Sequence, residues 1–484
     1  MKPTTLLFVL AGAVLLGLAA HSRGQAPAQP PEALTGFDDQ SNGFSDPDRR
    51  KADQKFFEEV ENIAPDGLGP LYNAQSCREC HQTPVTGAAS QVAELRVGHL
   101  DAHGLFQNPQ IPINHGSEVI KDRPLVNDRA ICAEIQERAP ETETVRTTRL
   151  TTNILGDGYV EAISDETLLK IRKQQCQASH GKICGQAVKV PVPEGEGHDR
   201  IGRFGWKDQH SSLLAFAADA YLNEMGITNR LQKTEVTTIC NPPVTTSVPN
   251  NDPTKITEPN SLPDPTDNSL EDIDHFASFM RSLKAPARDE TAAAIPDVKH
   301  GAEVFTRIGC ASCHVETIVT GKSPASPGGP GLHPDALEGR TIHPYSDFLL
   351  HNVGTGDGIA IALVEHFGRE RMEKRFREES AAAADAPRTL GKTEDECSES
   401  FQTAVAEGER HPKLLRDTLC ARNKIRTAPL WGLRLRSRLM HDGNSVQLND
   451  AIRRHRGESS QVTERFLKLK PSDRKALLAF LRSL

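Results

Sequence analysis

The sequence predicts a mainly α fold in which one helical unit is written twice in tandem, with long loops and a minor β-element. Three observations carry this. A five-residue pattern recurs, CRECH at 77–81 and CASCH at 310–314. Each copy follows an amphipathic helical stretch, ADQKFFEEVENI before the first and VKHGAEVFTRIG before the second, with apolar residues at helical spacing. Each unit then closes on a matching helix, FASFMRSL at 276–283 and LLAFLRSL at 477–484, which share Phe, Arg, Ser and Leu at the same places. Two copies at so long a period mark a duplicated domain, not a solenoid.

The elements between follow in order. KAPARDETAAAIPD (284–297), directly after the first closing helix, is the boundary, giving units of 36–284 and 297–484. Inside the first unit, residues 240–268 hold seven prolines among Asn, Asp and Thr and read as a surface loop. GKSPASPGGPGLHPDALEGR (321–340) is a second such loop, and 368–410 is charged and Ala-rich, an exposed helical insertion. Strand signals are few: QVAELRVGHL alternates over 91–100, and AVKVPVP reads as a short strand. With 484 residues and 37% hydrophobic composition, cores for two or three domains are within reach. Aromatics are only 5%, against 36 Gly and 32 Pro, which suits a loop-rich chain whose core is partly supplied by a cofactor. A net charge of −8 argues against a nucleic-acid partner.

The chemistry starts from the repeated pattern. On a helical turn, side chains at i and i+3 share a face. Two thiols so placed reach the two vinyl groups of one haem, and the histidine that follows points its ring at the iron. This is the C-x-x-C-H signature of covalent c-type haem attachment. Cys77, Cys80, Cys310 and Cys313 are thus the attachment residues and His81 and His314 the iron ligands. The competing reading, a redox or zinc Cys-x-x-Cys that happens to precede a histidine, weakens when the pattern occurs twice behind an export signal. The order helix, motif, long middle and closing helix resembles a cytochrome c domain, written twice.

That export signal is Lys2, an apolar run from Leu6 to Ala20, and small residues near Ala20 or Ala26, a secretory signal over 1–26. The run is too short for a membrane span, so the mature chain is expected in the periplasm without stable membrane insertion. Of ten cysteines, six lie outside the motifs: Cys132, Cys176, Cys184, Cys240, Cys397 and Cys420. An even remainder in an oxidising compartment suggests disulfides, with Cys176–Cys184 and Cys397–Cys420 the local pairs.

Three stretches between the motifs, GRFGWKDQHSSLLAFAADAYLNEMGITN (202–229), HPYSDFLLHNVGTGDG (343–358) and KIRTAPLWGLRLRSRLMHDGNSVQLNDAIRRHRGES (424–459), resemble the bacterial di-haem cytochrome c peroxidase superfamily. Within it the chain is most similar to the branch of di-haem oxidoreductases, also called thiol oxidoreductases, over roughly Gly36 to Leu484. The resemblance implies an N-terminal peroxidatic haem and a C-terminal haem that stores or relays electrons. It implies that Glu224 is the distal glutamate and Trp206 the tryptophan between the haems, as the chemistry would ask. A carboxylate in a partly dry pocket can take a proton from peroxide and return it to the leaving oxygen, and an indole between two macrocycles shortens the electron path.

The same resemblance places the sixth ligand of the second haem at His455, where relatives carry Met or Tyr, with Met440 the alternative. A bis-histidine haem sits at lower potential than a His/Met one. His99, His103 and Met225 are further candidate ligands of the first haem, the two histidines more simply explained as structural and Met225 as packing. The superfamily often holds calcium between its domains; no EF-hand pattern is present, so calcium remains open. The implied reaction partners are a peroxide as oxidant and a redox protein or quinol-linked electron donor. Two rivals stand beside this reading: a pure electron carrier with both irons six-coordinate, and an oxidoreductase of thiols or other sulfur compounds, marked by a cysteine in a haem pocket.

Overall fold

The amphipathic stretch before each motif folds as a helix and lies against its own closing helix. In a computed structural model, which describes residues 29–484 apart from 65, 103–105, 122, 196–198, 241–269, 325–329 and 361–420, helix Pro47–Glu58 packs on Asp272–Ser282, and helix Pro296–Ile308 packs on Pro471–Leu481. Both leading helices start on proline, whose fixed φ suits the first helical turn. The second pair closes up at Gly301, where a Cβ would stand 2.1 Å from the Ala476 carbonyl oxygen.

The duplication extends to individual contacts. Ser282 Oγ donates to the Phe279 carbonyl and Ser483 Oγ to the Phe480 carbonyl, each at 2.7 Å. The Phe57 ring lies 4.8 Å from Phe279 and 6.2 Å from His81; Phe305 lies 5.3 Å from Phe480 and 6.3 Å from His314. In both copies one phenylalanine of the leading helix therefore bridges the closing helix and the motif histidine. Burying each such ring contributes about 1.5–3 kcal/mol.

The largest apolar core draws Phe57, Tyr221, Phe276 and Phe279 from before residue 284 and Ile318, Phe348, Leu349 and Trp431 from after it. A second core, around Val304, Phe305, Phe466, Leu477 and Phe480, belongs to the C-terminal unit. A four-stranded antiparallel sheet is built on the central strand Ala93–Leu100, which pairs with Phe106–Gln107, Leu125–Val126 and Val145–Leu150. Its register sets Glu94 opposite Arg149.

The expected fold class is corrected here. The described residues are 34% helical and 17% strand, with several small sheets, so the fold is not mainly α, and a tandem of cytochrome c-like domains is not what it shows. Most of the additional strands are two or three residues long, too short to give the alternating pattern from which strands are read. The signals that were readable did become strands: Ala93–Leu100, and Lys189–Pro191 paired with Asp199–Ile201. The signal segment 1–26, nearly all of the Pro-rich loop, the insertion 368–410, the Cys397–Cys420 pairing and His103 lie outside the described residues. Among the described residues no helix is long and apolar enough to cross a membrane.

Candidate haem sites and the residues between them

The first motif occupies the one-turn helix Cys77–Cys80, capped by Ser76, whose side chain accepts from the Glu79 amide. Just upstream, segment 69–74 is fixed to the end of helix Leu213–Met225: the amides of Asn73 and Ala74 donate to the Glu224 carbonyl at 2.7 and 3.1 Å, and Gly69 donates to the Met225 carbonyl at 3.0 Å. The helix stops at Gly226, in the left-handed region at φ 71°, where a Cβ would stand 2.6 Å from the Leu71 carbonyl oxygen. This clamp carries the Glu224 side chain to the motif.

Asn73 Nδ2 donates to Glu224 Oε2 at 2.7 Å. Glu94, from the central strand, hydrogen-bonds Glu224 and is itself held by Arg96 Nε at 2.6 Å. Burial, then the neighbouring Glu94 charge, push Glu224 well above the usual carboxylate range. Burial is the largest single influence on Glu94 and raises it, but the charge and hydrogen bond of Arg96, the hydrogen bond with Glu224 and the Arg149 charge together outweigh it and hold that carboxyl low. Two carboxyls this close share one proton, as like charges do in a dry site, and here Glu224 carries it. Both are half-buried, Glu94 exposing 19% of its side chain.

The second motif occupies the turn Cys310–Ser312, and its histidine is oriented by a backbone carbonyl: His314 Nδ1 donates to Tyr345 O at 2.9 Å. His455, at the end of helix Leu448–Arg454, makes the matching bond, Nδ1 to the Ala451 carbonyl at 2.8 Å. Engaging Nδ1 leaves Nε2 of each ring as the free lone pair. Both rings line one cavity of about 700 Å³, together with Cys310, Cys313, Met440 and an apolar wall including Phe305 and Leu477. Burial pushes His314 down to about 4 and lowers His455 as well, so both are neutral and able to ligate.

The cavity extends to the first unit, where Val92, Leu150, Thr151 and Trp206 form its far wall. Trp206 Nε1 donates to Leu150 O at 2.7 Å, and its ring meets His441 edge-on at 6.1 Å. The Thr151 hydroxyl bonds Cys80. Cys80, Thr151, Leu150 and Trp206 thus form a continuous path from the first motif to the wall of the second cavity. Behind Trp206 lies a buried charge cluster: Asp357 meets Arg149 and Lys207, each at 2.8 Å.

The residues fit haem attachment better than thiol redox chemistry. The latter needs a thiolate, whereas burial raises all four motif thiols, Cys80 and Cys310 to about 12. His81 buries Nδ1 with no hydrogen-bond partner; the Ala88 and Thr152 backbone approaches the ring without bonding that atom. A neutral ring with paired neutral thiols alongside suits a haem iron. Among the described residues the only other cysteines are tied up as Cys132–Cys240 and Cys176–Cys184, the second foreseen from sequence and the first not. No free thiol beyond the motifs therefore faces either site among the described residues.

The remaining candidates lie elsewhere. His99 Nδ1 bonds Glu143 at 2.8 Å, and Met225 is buried in the main core. The carboxylate-containing clusters that could hold a metal ion, among the described residues, are Cys132–Glu134–Cys240, which includes a disulfide, and Cys313–Asp347–His351. Neither is the all-oxygen set calcium prefers. Sequence reading missed Glu94 and Asn73, the partners of Glu224; the alternation in AELRV was the one available signal that Glu94 and Arg96 share a face.

Comparison with known proteins adds the family. The model of the family described as "Di-haem oxidoreductase, putative peroxidase" matches residues 124–375 and 407–484. No curated protein matches the chain. Among solved structures, a hydrazine synthase of Kuenenia stuttgartiensis aligns at 14% identity and a TM-score of 0.34, covering 100% of both chains. The diheme peroxidase BthA from Burkholderia thailandensis aligns at 15% identity and a TM-score of 0.27, covering 67% of this chain and 87% of that one. Likenesses this distant carry no further argument.

Proposed function

The chain belongs to the di-haem oxidoreductase family, and from that membership we propose that it is a periplasmic peroxidase-like enzyme, reducing a peroxide at the first haem with electrons that enter through the second. Cys77, Cys80 and His81 would hold the first haem; Cys310, Cys313, His314 and His455 the second. The haems supply the redox chemistry when bound.

The protein's own contribution is proton handling and positioning. The observation that carries the proposal is the Glu224 carboxyl, protonated beside Cys80 and fixed by Asn73 and Glu94. From Glu224 Oε a proton can be delivered to a leaving oxygen, and Glu94, held ionised by Arg96, is placed to share its return. General acid–base assistance of this kind is worth about 10²–10⁴-fold. The indole of Trp206, locked by its bond to Leu150, stands between the two sites as the electron bridge. Among the described residues lining the second cavity none is a carboxylate, which supports an electron-transfer role there. The two disulfides support an oxidising compartment, and a redox protein or quinol-linked donor would complete the cycle.

The test is peroxide-dependent oxidation of a reduced donor by the purified di-haem protein. Glu224→Gln keeps size and polarity but holds no transferable proton, and is expected to lower turnover about 10²–10⁴-fold with both haem spectra intact. Two low-spin haems indifferent to peroxide in every redox state would overturn the proposal and leave an electron carrier.

A further inference from the structure

Several buried or half-buried arginines among the described residues are answered by acids. Arg123 meets Glu137 and Arg149 meets Asp357, each at 2.8 Å; Arg281 meets Glu161 at 2.7 Å and Arg203 meets Asp165 at 2.5 Å. Arg436 breaks the pattern. It is half-buried on the wall of the second-motif cavity, and among the described residues its only hydrogen bond is a long one, from Nη2 to the Trp431 carbonyl at 3.4 Å. No carboxylate pairs with it among the described residues. Its charged neighbour is another cation, Arg426, and burial together with that repulsion pushes it down to about 10. Two residues earlier Arg434, stacked over Phe37, buries Nη1 without a partner. Two residues later Arg438 donates only to the Gly443 carbonyl, at 3.2 Å.

A half-buried guanidinium on this cavity wall is stabilised by an anion, because a charge that gives up water without a partner is destabilised. The shape of the missing group follows from the fork of N–H donors, which matches a carboxylate. Its place follows from the cavity, whose wall Arg436 shares with Cys310, Cys313, His314 and His455. We propose that Arg436 is the carboxylate-binding group of this cavity and that the anion it takes is a propionate of the haem attached at Cys310 and Cys313. The inference rests on the reading that the second motif carries a haem. It makes Arg436 a positioning and tuning residue. By pairing with the propionate it fixes the haem edge against the 431–438 segment, and its positive charge favours the reduced, less positive iron.

The experiment uses the full chain with both haems, as wild type, Arg436→Gln and Arg436→Lys. Haem attachment is counted by intact mass. The second haem is then titrated by spectroelectrochemistry, and its propionate bending bands are recorded by resonance Raman. In Arg436→Gln the second haem is expected to shift toward the oxidised form by tenfold or more at a fixed poise, with displaced propionate bands. Arg436→Lys, which keeps the charge but not the fork, is expected to shift the bands while retaining most of the potential. Should Arg436→Gln fail to load haem, the bands of Arg436→Lys alone decide, and unmoved bands overturn the assignment. Fully loaded variants with wild-type potential and bands also overturn it. If acetate added at constant ionic strength moves the potential of wild type but not of Arg436→Gln, the arginine serves solution carboxylates, and the propionate assignment falls. A wild-type chain lacking haem mass at the second motif refutes the underlying reading instead.

Discussion

Lys207 offers the sharpest energetic test, because its ammonium does several jobs at once. The side chain is 2% exposed and ion-pairs with Asp357 at 2.8 Å. It also donates to the carbonyls of Ala421, Arg422 and Lys424 at 3.1, 2.8 and 2.8 Å. Burial pushes it down to about 8, still above neutral pH, so the group is charged where the protein works. Lys207→Met removes the ammonium from three carbonyls, of which that of Ala421 still accepts from the Lys424 amide at 2.9 Å, and leaves Arg149 as the ion-pair partner of Asp357. Removing one member of a buried pair costs about 3–5 kcal/mol. The remaining Arg149 contact places the loss at the low end, while one carbonyl kept dry adds about 1–3 kcal/mol. A destabilisation of about 4–5 kcal/mol is expected, read as a lowered midpoint in urea unfolding followed by far-UV circular dichroism. Asp357→Asn in the same background should cost less than the sum of the single changes, by about 1–3 kcal/mol of coupling. A loss below about 1 kcal/mol, or additivity within about 0.5 kcal/mol, would refute the claim that this ammonium ties the Trp206 loop to the 421–424 segment.

Other perturbations probe separate links. His455→Ala should abolish the low-spin signal of the second haem in EPR while leaving its covalent attachment intact by mass; an unchanged signal would transfer the ligand role to Met440. Opening Cys132–Cys240, which closes a loop of sequence separation 108, should cost about 5 kcal/mol on the chain-entropy account, against about 2.5 kcal/mol for Cys176–Cys184 at separation 8. Thermal unfolding of the two Cys→Ser pairs compares them. Burial holds His441 at about 4, opposed by Asp357 and Asp442 and reinforced by Arg149 and Lys207. Its folded value lies below the unfolded value of about 6.5, so the unfolded chain gains the proton first. Stability should be full above about pH 6.5 and fall by about 3 kcal/mol toward pH 4. His441→Gln should flatten that slope, and an unchanged slope would assign it elsewhere.

What the sequence disclosed and what it hid divide along sequence distance. The paired motifs, the helix before each, and the shared Phe-x-Arg-Ser-Leu ending were legible because each is a local pattern. They reappear as matched contacts, Ser282 with Phe279 and Ser483 with Phe480. Cys176–Cys184 was legible for the same reason. Cys132–Cys240 was not, since nothing local links residues 108 apart. Strands of two or three residues carry no periodicity, which is why the balance of helix and strand was misjudged. The partners of Glu224 were invisible on similar grounds: Asn73 and Glu94 come from separate segments, brought together by a helix end clamped on one strand and a register set on another.

The two motif sites have the same ligating parts and opposite surroundings, and that asymmetry decides what each can do. Around Cys80 stand Glu224, Glu94, Arg96 and Asn73, a half-buried set that holds one proton between two carboxyls. Proton transfer needs such a donor and a route for its replacement. Around His314 and His455 the cavity wall carries apolar side chains such as Phe305 and Leu477, both rings are neutral with Nδ1 already committed to carbonyls, and the charged side chains on the wall include Arg436. Among the described residues that line this cavity none is a carboxylate, in contrast to the first motif. A duplicated unit could have kept two equivalent centres. Carboxylates on one side and a histidine with arginines on the other are what the proposed division of labour, bond-breaking at the first site and electron supply at the second, would require, with Trp206 on the wall between them.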